Sequence, residues 1–226
     1  DFYPYYNFLF PHFNNLALQE YFKTSKDSVF NRNSVHYNLN KLQLIDSLVN
    51  NHDIKNNLLK YATRNFLSYC NSSEESGAVY KSYKKKSTNE KHLEYITNLK
   101  NRLNKLHPGN KFPDIEITNY KNETVNINTI INKPTVICFW SKTIKTHFKN
   151  SHKKINAYKK EYPNINFISI NINSNNSNIW KRMLKQNHFD LENEYVFRNP
   201  IVAKKILAIQ YINKVMVVNS NKTLIT

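Results

Sequence analysis

An all-α domain followed by an α/β domain built on a central sheet is the fold class this chain of 226 residues predicts. Three observations predict it. Apolar residues recur at helical spacing as far as about residue 106. The breaker cluster His107-Pro108-Gly109-Asn110 then interrupts the chain. Beyond it short β-type runs alternate with helical stretches, among them the continuous apolar run Thr135 to Trp140, which suits a strand buried on both faces.

In the first domain, expected over residues 1–107, DFYPYYNFLFPHF shows no clear period and reads as an extended aromatic lead-in. From Ser34 to Val49, residues Val35, Leu39, Leu42, Leu44, Ile45 and Leu48 fall near helical spacing. Asp53 is expected to cap the next helix, whose face carries Ile54, Leu58, Leu59, Ala62, Phe66 and Leu67. Ser87 with Glu90 matches a capping box, and Leu93, Ile96, Leu99, Leu103 and Leu106 form a stripe behind it. These stripes read as the core of a helical bundle.

In the second domain, expected over residues 108–226, Ile115–Ile117 and Val125–Ile127 flank the turn-prone stretch Asn119–Asn122 and predict a hairpin. The strand Thr135–Trp140 leads to a basic helix with Phe148, Ile155, Tyr158 and Tyr162 facing inward, then to a strand over Asn166–Ile172. Ser177 opens a helix bearing Ile179, Trp180, Met183 and Leu184. Asn199-Pro200 reads as a cap with proline at the first helical position, opening Ile201–Tyr211. Val215–Val218 is a strand, and the turn Asn219–Lys222 leads into Leu224-Ile225.

The net charge of +17 and pI near 9.7 favour an anionic partner, although Lys and Asn crowd the whole chain as AT-rich codon usage would make them. Nucleic-acid binding is disfavoured, because no nucleic-acid motif appears and the aromatics do not interleave with Lys and Arg on one sheet face. Two glycines, Gly77 and Gly109, leave no phosphate loop. Cys70 and Cys138 sit in different halves and form neither a metal nor a redox motif, so neither a metal nor a cofactor is expected. No apolar stretch approaches the roughly 20 residues that span a bilayer. The chain starts at Asp1 without Met and stops just after Leu224-Ile225, so further sequence is expected on both sides.

The order and wording of the second half resemble the thioredoxin superfamily, and within it the envelope thiol–disulfide oxidoreductases of the TlpA/ResA type. The phrases that carry the resemblance are Phe112-Pro113-Asp114-Ile115, Val125-Asn126-Ile127-Asn128, Lys133 to Trp140, Phe167 to Asn171 and Lys214 to Leu224. They span about residues 108–226 and imply a thioredoxin-like fold, without the family's last helix. In that family Phe-Trp precedes a Cys-X-X-Cys at a helix start, where the helix N-terminus favours the attacking thiolate. By spacing from Phe139-Trp140, the two cysteine positions fall on Ile144 and His147. Asn150 and His152 stand where the family has a glutamate and a proline, and about Asn213 stands in place of its cis-proline. Several parts of one machine are absent together, so the domain is expected to be redox-inactive.

His147 and His152, five apart, lie about 140° around a helix and share no ligand face, and only Glu123 stands near as a carboxylate. Ser141, Thr143 and Thr146 are expected to cap the helix rather than attack a substrate. No catalytic residue is assigned. The degenerate active-site surface, Trp140, Ser141, Ile144, His147 and the Asn213-Lys214 loop, is the expected partner-binding site. The resemblance implies an extracytoplasmic place, the periplasm of a Gram-negative cell, free or held at a membrane, with other envelope proteins as partners. A thiol oxidoreductase using Cys70 or Cys138 and a basic nucleic-acid-binding protein are the alternative readings, and the helical half is the alternative binding face.

Overall fold

The computed structural model describes residues 3–25, 29–70, 72–173 and 177–225. These fall into two compact units, residues 1–104 and 105–226.

The first unit is helical: α1 (Tyr3–Thr24), α2 (Val35–Leu48), α3 (His52–Tyr69), α4 (Ser73–Lys86) and α5 (Glu90–Lys105). The described part of the expected aromatic lead-in is therefore helix, while Asp1 and Phe2 lie outside the described residues. Leu9, Phe13, Ala17 and Tyr21 are buried at intervals of four, the stripe of a helix packed on its neighbours. Aromatics on every side hide that stripe in the sequence, and Pro11, inside the helix, reads as a breaker. The core gathers Leu42, Ile45, Leu58, Leu59, Phe66, Val79, Tyr83 and Ile96 with Leu9 and Phe13.

Two caps differ from expectation. Asn51, not Asp53, caps α3, its Oδ1 accepting from the amides of Asp53 and Ile54 at 3.1 and 3.0 Å. Ser87 closes α4 rather than opening α5, and its hydroxyl donates to Asn56 Oδ1 at 2.9 Å. The same Oδ1 accepts from the amides of Thr88 and Asn89, at 2.9 and 3.2 Å, while Asn56 Nδ2 donates to His52 O and Thr88 Oγ1. One buried asparagine thus ties the α4–α5 turn to α3.

The second unit is α/β, with elements β1 (Glu116–Asn119), β2 (Thr124–Asn126), α6 (Ile127–Ile130), β3 (Thr135–Trp140), α7 (Lys145–Glu161), β4 (Asn166–Asn171), α8 (Ser177–Gln186), β5 (Glu194–Phe197), α9 (Pro200–Ile206) and β6 (Val215–Val218). The six strands are ordered β2-β1-β5-β4-β3-β6; β3, β4 and β5 run parallel, and β1, β2 and β6 join antiparallel. The hairpin, β3, β4 and β6 lie where the sequence predicts them. Asn199 caps α9 with Oδ1 on the Val202 amide, but the helix stops at Ile206 rather than Tyr211.

β5 is missing from the sequence reading. Its four residues open on a glutamate, which argues against a buried strand until its partner is known. One sheet face packs Ile137, Phe139, Ile168, Ile170, Tyr195 and Phe197 into the main core, and the other packs Trp140 and Val196 with Phe148, Trp180 and Leu184. Along α7, Phe148, His152 and Ile155 are buried, whereas Tyr158 and Tyr162, expected to face inward, are exposed. The inward stripe runs 148–152–155; Tyr158 reaches the sheet only at its margin, its ring stacked 6.4 Å from that of Phe167 on β4 with the rest open to solvent.

Candidate functional site

β3 delivers the chain to the N-terminus of α7 at the C-terminal end of the parallel strands, where open sheets commonly form sites. The loop between them is built from side-chain hydrogen bonds. Ser141 Oγ donates to Asn173 Oδ1 at 2.9 Å and lies 2.7 Å from Thr143 Oγ1. The amide of Lys142 donates to the same Asn173 oxygen at 2.8 Å, and the Asn173 amide donates to Asn171 Oδ1. The end of β4 thereby holds the loop that follows β3.

The six residues of the expected binding surface part company here. Ile144 is 44% exposed and stands as the N-cap of α7, with no side chain capping the helix. Ser141, Thr143 and Thr146 thus do not cap α7; the Ser141 carbonyl accepts the Ile144 amide instead. His147 is half-buried in the first turn, and burial, followed by neighbouring His152, lowers its pKa. Trp140 and Ser141 are buried and present no surface to a partner, because the tryptophan ring sits 4.7 Å from that of Phe148 beneath the helix. Asn213 is exposed; β6 pairs with β3 at Cys138–Val215, so two residues further on the loop comes level with Trp140. Lys214 is engaged within its own segment, its Nζ donating to Leu207 O at 2.8 Å, and burial lowers its pKa to about 8. Ile144, His147 and Asn213 are the accessible remainder.

Below this surface lies an arrangement the sequence reading missed. Cys138, Ser169 and Glu194 share one rung across β3, β4 and β5. His152 covers them from α7, with Nε2 3.2 Å from Glu194 Oε1 and both residues buried. His152 Nδ1 lies 2.7 Å from the Phe148 carbonyl, which can only accept, so Nδ1 carries a proton and Nε2 faces the carboxyl. Burial raises the Glu194 pKa, opposed by His152 and Ser169. A carboxylate 42 positions from its histidine in sequence leaves no local spacing signal; only the strand register reveals the pair.

Neither thiol is activated. Burial and then Glu194 push Cys138 up to about 11, and burial pushes Cys70 up as well. A thiol poised for attack is shifted the other way. Among the described residues, no three His, Cys, Asp or Glu side chains converge as metal ligands would, and no helix is long and apolar enough to cross a membrane.

The Glu194 environment has a pH consequence. A carboxyl whose proton affinity rises on folding stabilises the native state most below its ordinary range, and that contribution fades as pH climbs through the raised native value. Glu194→Gln keeps a polar group beside His152 and cannot ionise. Urea denaturation between about pH 5 and 8 is expected to show a flatter stability profile for the variant than for the wild type. Parallel profiles would mean that Glu194 titrates alike in both states.

No protein-family model matches the chain, and neither does any curated protein. Among solved structures it is similar to a thioredoxin-like protein from Bacteroides caccae, at 12% identity and a TM-score of 0.56, covering 85% of this chain and 73% of that one. It also aligns with the thioredoxin domain of a thiol-disulfide oxidoreductase from Bacteroides vulgatus, at 13% identity and a TM-score of 0.46, over 54% and 87% of the two chains. A thiol:disulfide interchange protein from Bacteroides sp. aligns at 16% identity and a TM-score of 0.44, over 54% and 80%. The second unit has a thioredoxin-like fold, preceded by a helical unit. The Bacteroides caccae alignment covers more of the chain than residues 105–226 could supply, so that likeness extends into the helical unit.

Proposed function

We propose that this protein is a redox-inactive thioredoxin-like protein that serves as a binding or scaffold subunit of an assembly in the cell envelope, in the periplasm or at a membrane. The observation that carries the reading is the occupant of the α7 N-terminus. Ile144 and His147 stand at the two positions that hold thiols in the oxidoreductases this half resembles, and both cysteines lie elsewhere with raised pKa values. An isoleucine offers neither a nucleophile nor a proton. What the surface retains is an apolar side chain, a half-buried imidazole and the exposed Asn213 loop, a small recognition patch for another envelope protein. The spread positive charge would speed encounter with an acidic partner.

The test has two arms. Insulin reduction with dithiothreitol should show no rate above the protein-free control; a rate that disappears in Cys138→Ser or Cys70→Ser would establish the oxidoreductase reading instead. From native membranes in gentle detergent, the wild type should elute with a stoichiometric companion that Ile144→Asp with His147→Asp releases. A free monomer in that extract would end the subunit proposal.

A further inference from the structure

In the helical unit, α3 and α5 line a cavity of about 280 Å³ whose wall is made by Lys60, Tyr61 and Arg64 from α3 and by His92 and Tyr95 from α5. We propose that this cavity binds a small soluble organic phosphate monoester, with the anion held by Lys60, Arg64 and His92 and the organic body against Tyr61 and Tyr95. The site belongs to the first unit and stands whether or not the thioredoxin-like unit is redox-inactive.

The backbone brings these groups together by construction. Asn56, Lys60 and Arg64 are spaced by four along α3 and so share one face. Asn56 pins the start of α5, and Asn89 Oδ1 accepts the His92 amide at 3.0 Å, which fixes the first turn of α5 beside that face. His92 and Tyr95, one turn apart, complete the wall. Tyr61 is held in place by Phe10, whose ring stacks on it at 3.8 Å.

The electrostatics then ask for an anion. Lys60 Nζ lies 3.0 Å from His92 Nε2 and 3.3 Å from Asn57 Oδ1, and neither partner is negative. Among the described residues no carboxylate comes within ion-pair distance of Lys60, although Asp46 pairs with both Lys55 and Lys86 in the same unit. The ammonium can only donate to Nε2, so the imidazole proton sits on Nδ1, and the Asn56 backbone carbonyl also interacts with the ring and favours its protonated form. Like charge is also crowded here. Burial and then Arg64 lower the Lys60 pKa; burial and then Lys60 lower that of His92, against a raising influence from Asn56 and Asp53.

The kind of anion follows from shape and charge. An arginine fork beside a lysine point charge suits the several oxygens of a phosphate group. A phosphate monoester carries close to two negative charges at neutral pH, against one for a carboxylate. The volume approaches the lower end of small-molecule pockets, so room is left for an organic body, and the two tyrosines give that body an apolar wall.

Phenyl phosphate, inorganic phosphate, benzoate and phenol are the probes, titrated into the full chain by calorimetry and by NMR of the His92 ring protons. Phenyl phosphate is expected to bind with a Kd of about 1 mM or tighter, and inorganic phosphate about tenfold more weakly. Benzoate and phenol should bind more weakly still. The His92 resonances should shift on binding, and its pKa should move up as the anion offsets Lys60. Lys60→Met with Arg64→Met should weaken phenyl phosphate at least about tenfold while circular dichroism is unchanged. His92→Gln, which retains a donor, should weaken it less and serves if the double variant unfolds. Equal affinity in wild type and variants, or no His92 response at about 20 mM phenyl phosphate, overturns the proposal. So does sedimentation with phosphatidic acid vesicles that depends on Lys60 and Arg64 while phenyl phosphate does not bind, since the ligand would then be a lipid headgroup.

Discussion

Replacing Trp140 by alanine is expected to destabilise the thioredoxin-like unit by about 3–5 kcal/mol, the range for truncating a buried aromatic. The side chain is 1% exposed, with Phe148 at 4.7 Å and the His152 ring edge-on at 5.3 Å, and it belongs to the cluster that joins β3 to α7 and α8. Because small domains are stable by about 5–15 kcal/mol, such a loss would leave much of the unit unfolded at modest urea. Urea denaturation followed by Trp180 fluorescence measures it, with Trp140→Phe as the milder companion. A loss under about 1 kcal/mol would place Trp140 at the surface in solution. The expected result also bears on partner binding: a charged residue at 140 would release a partner by unfolding the unit, so Ile144, His147 and Asn213 are the positions at which recognition can be tested cleanly.

Asn56→Ala is expected to cost about 3 kcal/mol in the helical unit. The side chain is buried, and its loss leaves Ser87 Oγ and the amides of Thr88 and Asn89 without their acceptor. Each buried polar group so orphaned costs on the order of 1–3 kcal/mol, reduced here where water can enter the opened turn. Asn56→Asp preserves the acceptor while giving up the Nδ2 donors to His52 O and Thr88 Oγ1, so its loss should be smaller. Thermal unfolding by far-ultraviolet circular dichroism ranks the three proteins. Equal losses for alanine and aspartate would show that the Oδ1 bonds are not what holds the turn.

The parts of this molecule legible in its sequence are those whose information is local. Thr135–Trp140 is apolar without a break and is the strand expected; Asn199-Pro200 opens a helix because cap and proline act within one turn. The parts that escaped depend on distant partners. Glu194 marks β5 as polar until His152, from α7, is set beside it. Ser87 and Glu90 match a capping box, yet Asn56 on α3 takes the hydroxyl, and no local rule reports that competition. In α1 the signal was present but saturated, since exposed Tyr5 and Phe8 look the same as buried Phe13. At the candidate site the sequence located the helix start, whereas the depth of Trp140 and the turn of Lys214 toward Leu207 are matters of packing.

The strand order also sets a timetable for synthesis. The helical unit relies largely on neighbouring helices and can fold soon after it leaves the ribosome. The sheet cannot. Ile117 of β1 pairs with Phe197 of β5, and Thr135 of β3 with Val218 of β6. At about 5–20 residues per second, each pair waits on the order of 4–16 s for its second member to be made. In that interval β3 and β4 have each other but lack the strands that flank them in the finished sheet. The nascent chain is therefore most prone to stick to its neighbours midway through the second unit, and the lysines of α7, made between these two strands, are the charges at hand to keep such chains apart.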